Sequence, residues 1–218
     1  MCGRFSLAIP SSELEKVFQA KLEQPLQPRY NIAPQQDSAV ILNETPKKIS
    51  MLRWGLVPHW AKDESVGFKL INARAESVAD KPSFRSSMRD RRCLVLADGF
   101  YEWKKTAAGK IPFRFTLKDG RPFGMAGLWD TWKSPDDKEL RTFTIITTTP
   151  NSVVKKVHDR MPVIIGQGEE QTWLNGKVRE ALALLKPYGG VMEEKVVSKK
   201  LNNPANEGAD LLKGEGLL

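Results

Sequence analysis

The second residue of the sequence is a cysteine, in MCGRFS. With Met1 removed, Cys2 would carry an amine and a thiol on adjacent carbons, with reference pKa values of about 7.7–8.0 and about 8.5. Methionine aminopeptidases act when the second residue is small, so a free N-terminal cysteine is the expected mature state. Such a 1,2-aminothiol condenses with an aldehyde through its amine and closes through its thiol to a five-membered thiazolidine, the kind of bond set that covalent catalysis uses. Position is the whole of this argument, and from the terminus alone an ordinary second residue is the commoner reading.

Proton transfer needs groups that titrate near neutrality. His158, one of two histidines, stands in VHDRMP beside Asp159 and Arg160. A neighbouring carboxylate raises an imidazole pKa and an arginine lowers it. Most lone histidines are structural or exposed, and His59 in VPHW is the weaker of the two. Glu102 lies between Tyr101 and Trp103 in DGFYEWKK. A carboxylate desolvated there has a raised pKa, whereas strand alternation equally allows an outward Glu102 paired with Lys104. Asn72 in LINARAE offers an amide for orientation, although asparagine in a turn is commoner.

Arg4 in CGRF, Arg74 in INARAES and Arg160 in HDRMP sit in apolar or glycine-bearing stretches. A guanidinium so placed more often has a defined partner, such as a carboxylate or a phosphate. Trp54 and Trp60 in RWGLVPHW add aromatic surface. Base stacking combined with phosphate neutralisation binds single strands without reading sequence, although most tryptophans belong to cores. The net charge of +8, from 34 Lys and Arg against 26 Asp and Glu, attracts anionic partners and fits a solvated basic surface equally well.

The elements that must position these residues are short. The chain of 218 residues fits one domain, and its 14 Pro and 16 Gly break it into many pieces. No apolar run is long enough to span a membrane and no secretory signal is present, which predicts a cytoplasmic protein. Two cysteines are a poor basis for a disulfide framework and a worse one for a metal site, and Cys93 in RRCLVLADGF reads as a buried small hydrophobe. PSSELEKVFQAKL predicts a helix capped by Ser12 and Glu15, with Leu14, Val17 and Phe18 inward. SAVILN, KISMLRWGLVP and FKLINARAES predict extended segments. Asp98-Gly99 and Asp119-Gly120 each predict a turn between two strands. RTFTIITTTPNSVVKKVHDRMPVII predicts a strand, then a helix capped by Thr149 with Val153, Val154 and Val157 inward and His158 at its end. Later helices over EEQTWLNG and VREALALLKPYGG and a last strand in VMEEKVVSKKLNN complete the pattern, and the tail is expected to be loose. Strands dominate without regular alternation with helices, so the fold class is α+β: a compact single domain with a curved, barrel-like mixed sheet flanked by short helices.

Read together, MCGRFS, RYNIAP, RWGLVPHW, INARAES, LVLADGFYEW, TTTPNSVVKKVHDRMPVII and VVSKKLNN resemble the SOS response-associated peptidase (SRAP) family, which shields abasic sites in single-stranded DNA by cross-linking to them. The resemblance runs from Cys2 to about Asn203, giving a domain over 1–205 and a tail over 206–218. It implies Cys2 as nucleophile, Asn72 and Arg74 as holders of sugar and phosphate, and Glu102 and His158 as proton-transfer groups. It further implies Arg4 and Arg160 as phosphate contacts, with Pro34 and Trp60 beside kinked DNA, where this chain has His59 in place of the family's usual Trp or Gly. Neither metal nor cofactor is implied, nor a membrane partner, and the chain is expected to be a monomer. Helix termini and nearby arginines can raise the thiolate fraction of such a cysteine. Weak abasic-site lyase activity is a further expectation; a cysteine peptidase and a non-covalent single-stranded DNA binder are the alternatives.

Overall fold

The computed structural model describes residues 2–107 and 109–214. Its strands in chain order are β1 (Phe5–Leu7), β2 (Lys21–Leu22), β3 (Arg29–Ile32), β4 (Asp37–Leu42), β5 (Thr45–Trp54), β6 (Asn72–Arg74) and β7 (Arg92–Ala97). There follow β8 (Gly99–Thr106), β9 (Gly109–Leu117), β10 (Phe123–Lys133), β11 (Glu139–Thr148), β12 (Met161–Pro162) and β13 (Met192–Val196). Four short helices flank them, α1 (Ser11–Phe18), α2 (Arg85–Asp90), α3 (Glu170–Asn175) and α4 (Val178–Ala183).

Strands β11, β10, β7, β4 and β5 pair in that order, and β5 returns to β11 in parallel at Arg53↔Thr142 and Trp54↔Phe143, closing a five-stranded mixed barrel. Closure removes the sheet's exposed edges. Both faces of the barrel strands are buried and apolar: Leu52, Trp54, Val95 and Phe143 share one face by register, and Ile41 and Leu128 lie on the other. At Gly127 a Cβ would fall 2.8 Å from Cys93 Sγ and from Val95 Cγ2, so β7 can carry both side chains there only because β10 has none at that position. The second sheet runs β13-β9-β8-β1-β3, all antiparallel. Phe5 of that sheet meets Trp54 of the barrel with ring centroids 5.1 Å apart, which joins the two cores. This is the α+β barrel-like domain expected from the sequence. Among the described residues no helix is long and apolar enough to cross a membrane.

Several local expectations are corrected. Asp98-Gly99 and Asp119-Gly120 do not close hairpins: β7 and β10 lie in the barrel while β8 and β9 lie in the other sheet, so both dipeptides carry the chain between sheets. The hairpin partners are β8 with β9 and β10 with β11. Helix α1 has no side-chain cap; Glu15 instead accepts from Leu22 N–H, and Val17 is 43 % exposed. The helix before His158 is a single 3-10 turn, Val154–Lys156, capped by Asn151, whose Oδ1 accepts from Val154 N–H at 3.0 Å. Within the expected tail, a 3-10 turn over Ala209–Leu212 buries Leu211 against Tyr101, Val197 and Leu201; residues 215–218 lie outside the described ones.

Candidate active site

Cys2 precedes β1 and is fully buried. Its carbonyl accepts from Asn72 Nδ2 at 2.9 Å. Asn72 is fixed because it opens β6, which runs parallel to β11 with Asn72 opposite Ile145. A strand paired alongside the barrel therefore holds the N-terminal segment of the other sheet.

On the other side lies β8. Tyr101 N–H donates to Arg4 O at 2.9 Å, and the next residue, Glu102, is 2 % exposed. His158 leaves the turn 154–156 with its own N–H bonded to Val154 O at 2.9 Å. Its Nε2 lies 3.7 Å from Glu102 Oε2. Its Nδ1 accepts from Arg160 N–H at 3.1 Å, which in the neutral ring puts the proton on Nε2, toward Glu102. Asp159 Oδ1 is also 3.1 Å from Nδ1.

Burial sets the electrostatics. It pushes Glu102 up to about 7, with Asp159 acting in the same direction. Burial presses His158 down. It also raises the Cys2 thiol far above the usual range, with the Glu102 charge adding to the rise. The expectation of an enriched thiolate is thus corrected: desolvation by burial dominates and keeps the thiol protonated.

Cys2, Asn72, Glu102 and His158 are brought together, as their spacing in sequence could not show. The arginines are more committed. Arg4 donates to Asn31 Oδ1 at 2.6 Å and to Leu201 O at 2.9 Å, with its guanidinium 5.8 Å from the Trp103 ring. Arg160 donates to both oxygens of Glu76, at 2.6 and 3.0 Å, and to Thr147 O at 2.6 Å. Arg74, at the end of β6, is exposed. Pro34 is half-buried in the turn before β4, next to Gln35, whose N–H donates to Trp54 O at 2.8 Å. Trp60 is 55 % exposed on the loop between β5 and β6, where His59 is tied by its N–H and by Nδ1 to buried Asp130, both at 3.0 Å.

Two contributors carried no functional reading from sequence. Asn31 is buried and donates to Asn203 O and Asn206 O while accepting from Arg4, so it ties the C-terminal segment to the cysteine segment. Glu76 is the counter-ion of Arg160; its place two residues after Arg74 in INARAES was the available signal. An open cavity of about 430 Å³ is lined by Arg4, Glu102, Trp103, Lys105, Lys110, His158 and Asn202. Among the described residues no group of three or more His, Cys, Asp or Glu is placed to hold a metal ion.

The fold and the site define an α+β barrel domain that buries a cysteine at position 2 against an asparagine, a glutamate and a histidine drawn from three separate elements. Residues 1–204 match the model of the SOS response associated peptidase (SRAP) family, and the chain belongs to that family. It is 43 % identical to abasic site processing protein YoqW of Bacillus subtilis (strain 168), over 97 % of this chain and 99 % of that protein. It is 31 % identical to abasic site processing protein HMCES of Gallus gallus, over 86 % of this chain and 70 % of that one. A crystal structure of a protein from Bacteroides thetaiotaomicron superposes with a TM-score of 0.89 at 28 % identity, covering 98 % of this chain and 100 % of that one.

Proposed function

We propose that the protein captures abasic sites in single-stranded DNA by forming a thiazolidine with Cys2 after Met1 is removed. The observation that carries this reading is the placement of Cys2, held through its carbonyl by Asn72, beside the Glu102–His158 pair. Family membership and the abasic-site processing named for the relatives support it.

The ring-opened deoxyribose presents an aldehyde at C1′. The Cys2 amine adds to C1′, and loss of water, with the proton supplied by Glu102 or His158, leaves a Schiff base. The Cys2 sulfur then bonds to C1′. Because burial keeps the thiol protonated, its proton must pass to a base as the C–S bond forms, and Glu102, pushed up to about 7 and electrostatically coupled to the thiol, is suited to receive it. Before ring closure the Schiff base acidifies C2′, so elimination of the 3′ phosphate competes and gives weak lyase activity. Arg4 and Arg74 are assigned to phosphates of the strand, Arg160 joins them by exchanging Glu76 for a phosphate, and Pro34 and Trp60 flank the kinked DNA.

Intact mass spectrometry tests the reading directly. Protein lacking Met1, mixed with an oligonucleotide bearing one abasic site, is expected to give a heat-stable species whose mass is the sum of the two less one water. No such species from protein confirmed to lack Met1 overturns the proposal.

A further inference from the structure

We infer that the β8–β9 hairpin carries a nucleotide subsite in which Lys105 and Lys110 hold the phosphate next to the reacting sugar. The inference rests on the single-stranded DNA reading above and names residues that reading does not use.

Lys105 and Lys110 are direct cross-strand partners. Like charges in that register repel and destabilise the hairpin. None of the lysine ion pairs among the described residues involves either of them, so no internal carboxylate accounts for the arrangement. An anion from outside the chain would relieve it. Both lysines line the cavity of about 430 Å³ that Glu102 and His158 also line. With Arg4, three cations face it against the single carboxylate of Glu102. Lys105 is close enough to His158 to help press its pKa down.

The cavity's shape follows from the sheet. Strand β1 pairs with β8 only at Phe5↔Phe100 and Ser6↔Gly99, and their last backbone bond joins Tyr101 N–H to Arg4 O. Beyond Tyr101 β8 has no further pairing with β1, and after buried Glu102 its last residues, Lys104, Lys105 and Thr106, are exposed. There Trp103 stands two residues before Lys105 on the same face, its Nε1 donating to Asn202 Oδ1 at 2.7 Å. The indole is therefore held as an apolar wall beside two cations, which suits a sugar-phosphate unit. The volume falls within the range of about 300–1,000 Å³ common for small-ligand sites.

The test uses an oligonucleotide with a tetrahydrofuran residue as the abasic analogue. It has no aldehyde, so binding is read separately from cross-linking, and failure of the covalent reaction leaves this measurement intact. Fluorescence anisotropy over a potassium chloride series compares the wild type with the Lys105→Gln/Lys110→Gln variant. The variant is expected to bind about tenfold more weakly, with the slope of log affinity against log salt smaller by about 0.7, the value for one single-strand phosphate contact. Oligonucleotides cut back to the analogue on the 3′ or the 5′ side locate the subsite: on one of them wild type and variant should bind alike. Thermal melting controls for folding, and the variant is expected to be at least as stable because a repulsion is removed. Equal affinities and slopes on the full oligonucleotide overturn the inference, as does a lysine effect that survives both truncations.

Discussion

His158 Nε2 lies 3.7 Å from Glu102 Oε2, and burial drives the two groups in opposite directions. The acid is pushed up to about 7 while the imidazole is pushed below its ordinary value. Burial thereby favours the neutral form of each group, a protonated Glu102 beside an unprotonated imidazole, so one exchangeable proton sits next to a group that can accept it. Such a pair can donate to a leaving hydroxyl in one step and accept from a thiol in the next without being reset by solvent.

The first prediction concerns pH and stability. A carboxyl whose folded pKa lies above its unfolded value, about 4.3, stabilises the fold fully below that unfolded value. The contribution disappears as pH rises through the folded value, about 7 for Glu102. Glu102→Gln removes the titration, so the melting temperature of the variant minus that of the wild type should increase between pH 5 and pH 8, by about 5 °C. Calorimetry at the two pH values checks this, and a pH-independent difference would exclude it. The same substitution is expected to slow formation of the stable DNA adduct by about a hundredfold or more.

The second prediction separates the two bonds at Cys2. Cys2→Ser keeps the amine and replaces sulfur by a poorer nucleophile. It should still form a Schiff base with abasic DNA, trapped by borohydride, but no adduct that survives heating without reduction. Cys2→Ala should behave in the same way under trapping. A heat-stable, unreduced adduct from either variant would place the second bond elsewhere.

Much of the fold was legible because burial leaves a periodic trace. The alternating KISMLRW segment became β5, and the β-branched run before Thr149 became β11. The Asp-Gly pairs misled because the local turn preference is the same whether a chain folds back on itself or crosses to another sheet; partner choice is set by long-range pairing. Thr149 satisfies the same cap preference in sequence, but it is Asn151 Oδ1 that accepts from Val154 N–H at the start of the turn. Within the site, residue types alone left Cys2, Asn72, Glu102 and His158 each with a plain structural alternative, and their joint recognition came from several motifs in order. The sequence leaves Arg160 either a carboxylate or a phosphate as partner, and the carboxylate, Glu76, is invisible in sequence because it lies 84 positions away.

The third prediction follows from that ion pair. Glu76 is about half exposed, so the pair itself contributes little to stability, on the order of 1 kcal/mol or less. It does occupy the guanidinium of Arg160. Glu76→Gln should therefore tighten binding to abasic-analogue DNA several-fold and steepen its salt dependence, with little change in urea midpoint. Weaker binding would mean that Glu76 positions Arg160 for DNA instead of competing with it.

The fourth concerns the junction between the sheets. Asp98 ends β7's run and passes the chain to β8, and its buried carboxylate accepts from Ser6 Oγ at 2.6 Å, Ala8 N–H at 2.8 Å and Arg114 at 2.8 Å. Gly99 follows because a Cβ there would fall 2.6 Å from Arg114 Nε. Asp98→Ala leaves Arg114, 18 % exposed, without its counter-charge and should cost about 3 kcal/mol in urea unfolding. Ser6 lies on β1 and Ala8 just after it, on the segment that begins with Cys2, so the adduct should also form more slowly. Removing both charges discriminates the cause. Asp98→Ala/Arg114→Met leaves no orphan cation and should recover part of the lost stability. If the double variant is no more stable than the single one, the loss comes from the bonds to Ser6 and Ala8, and the carboxylate acts as a backbone anchor more than as half of an ion pair.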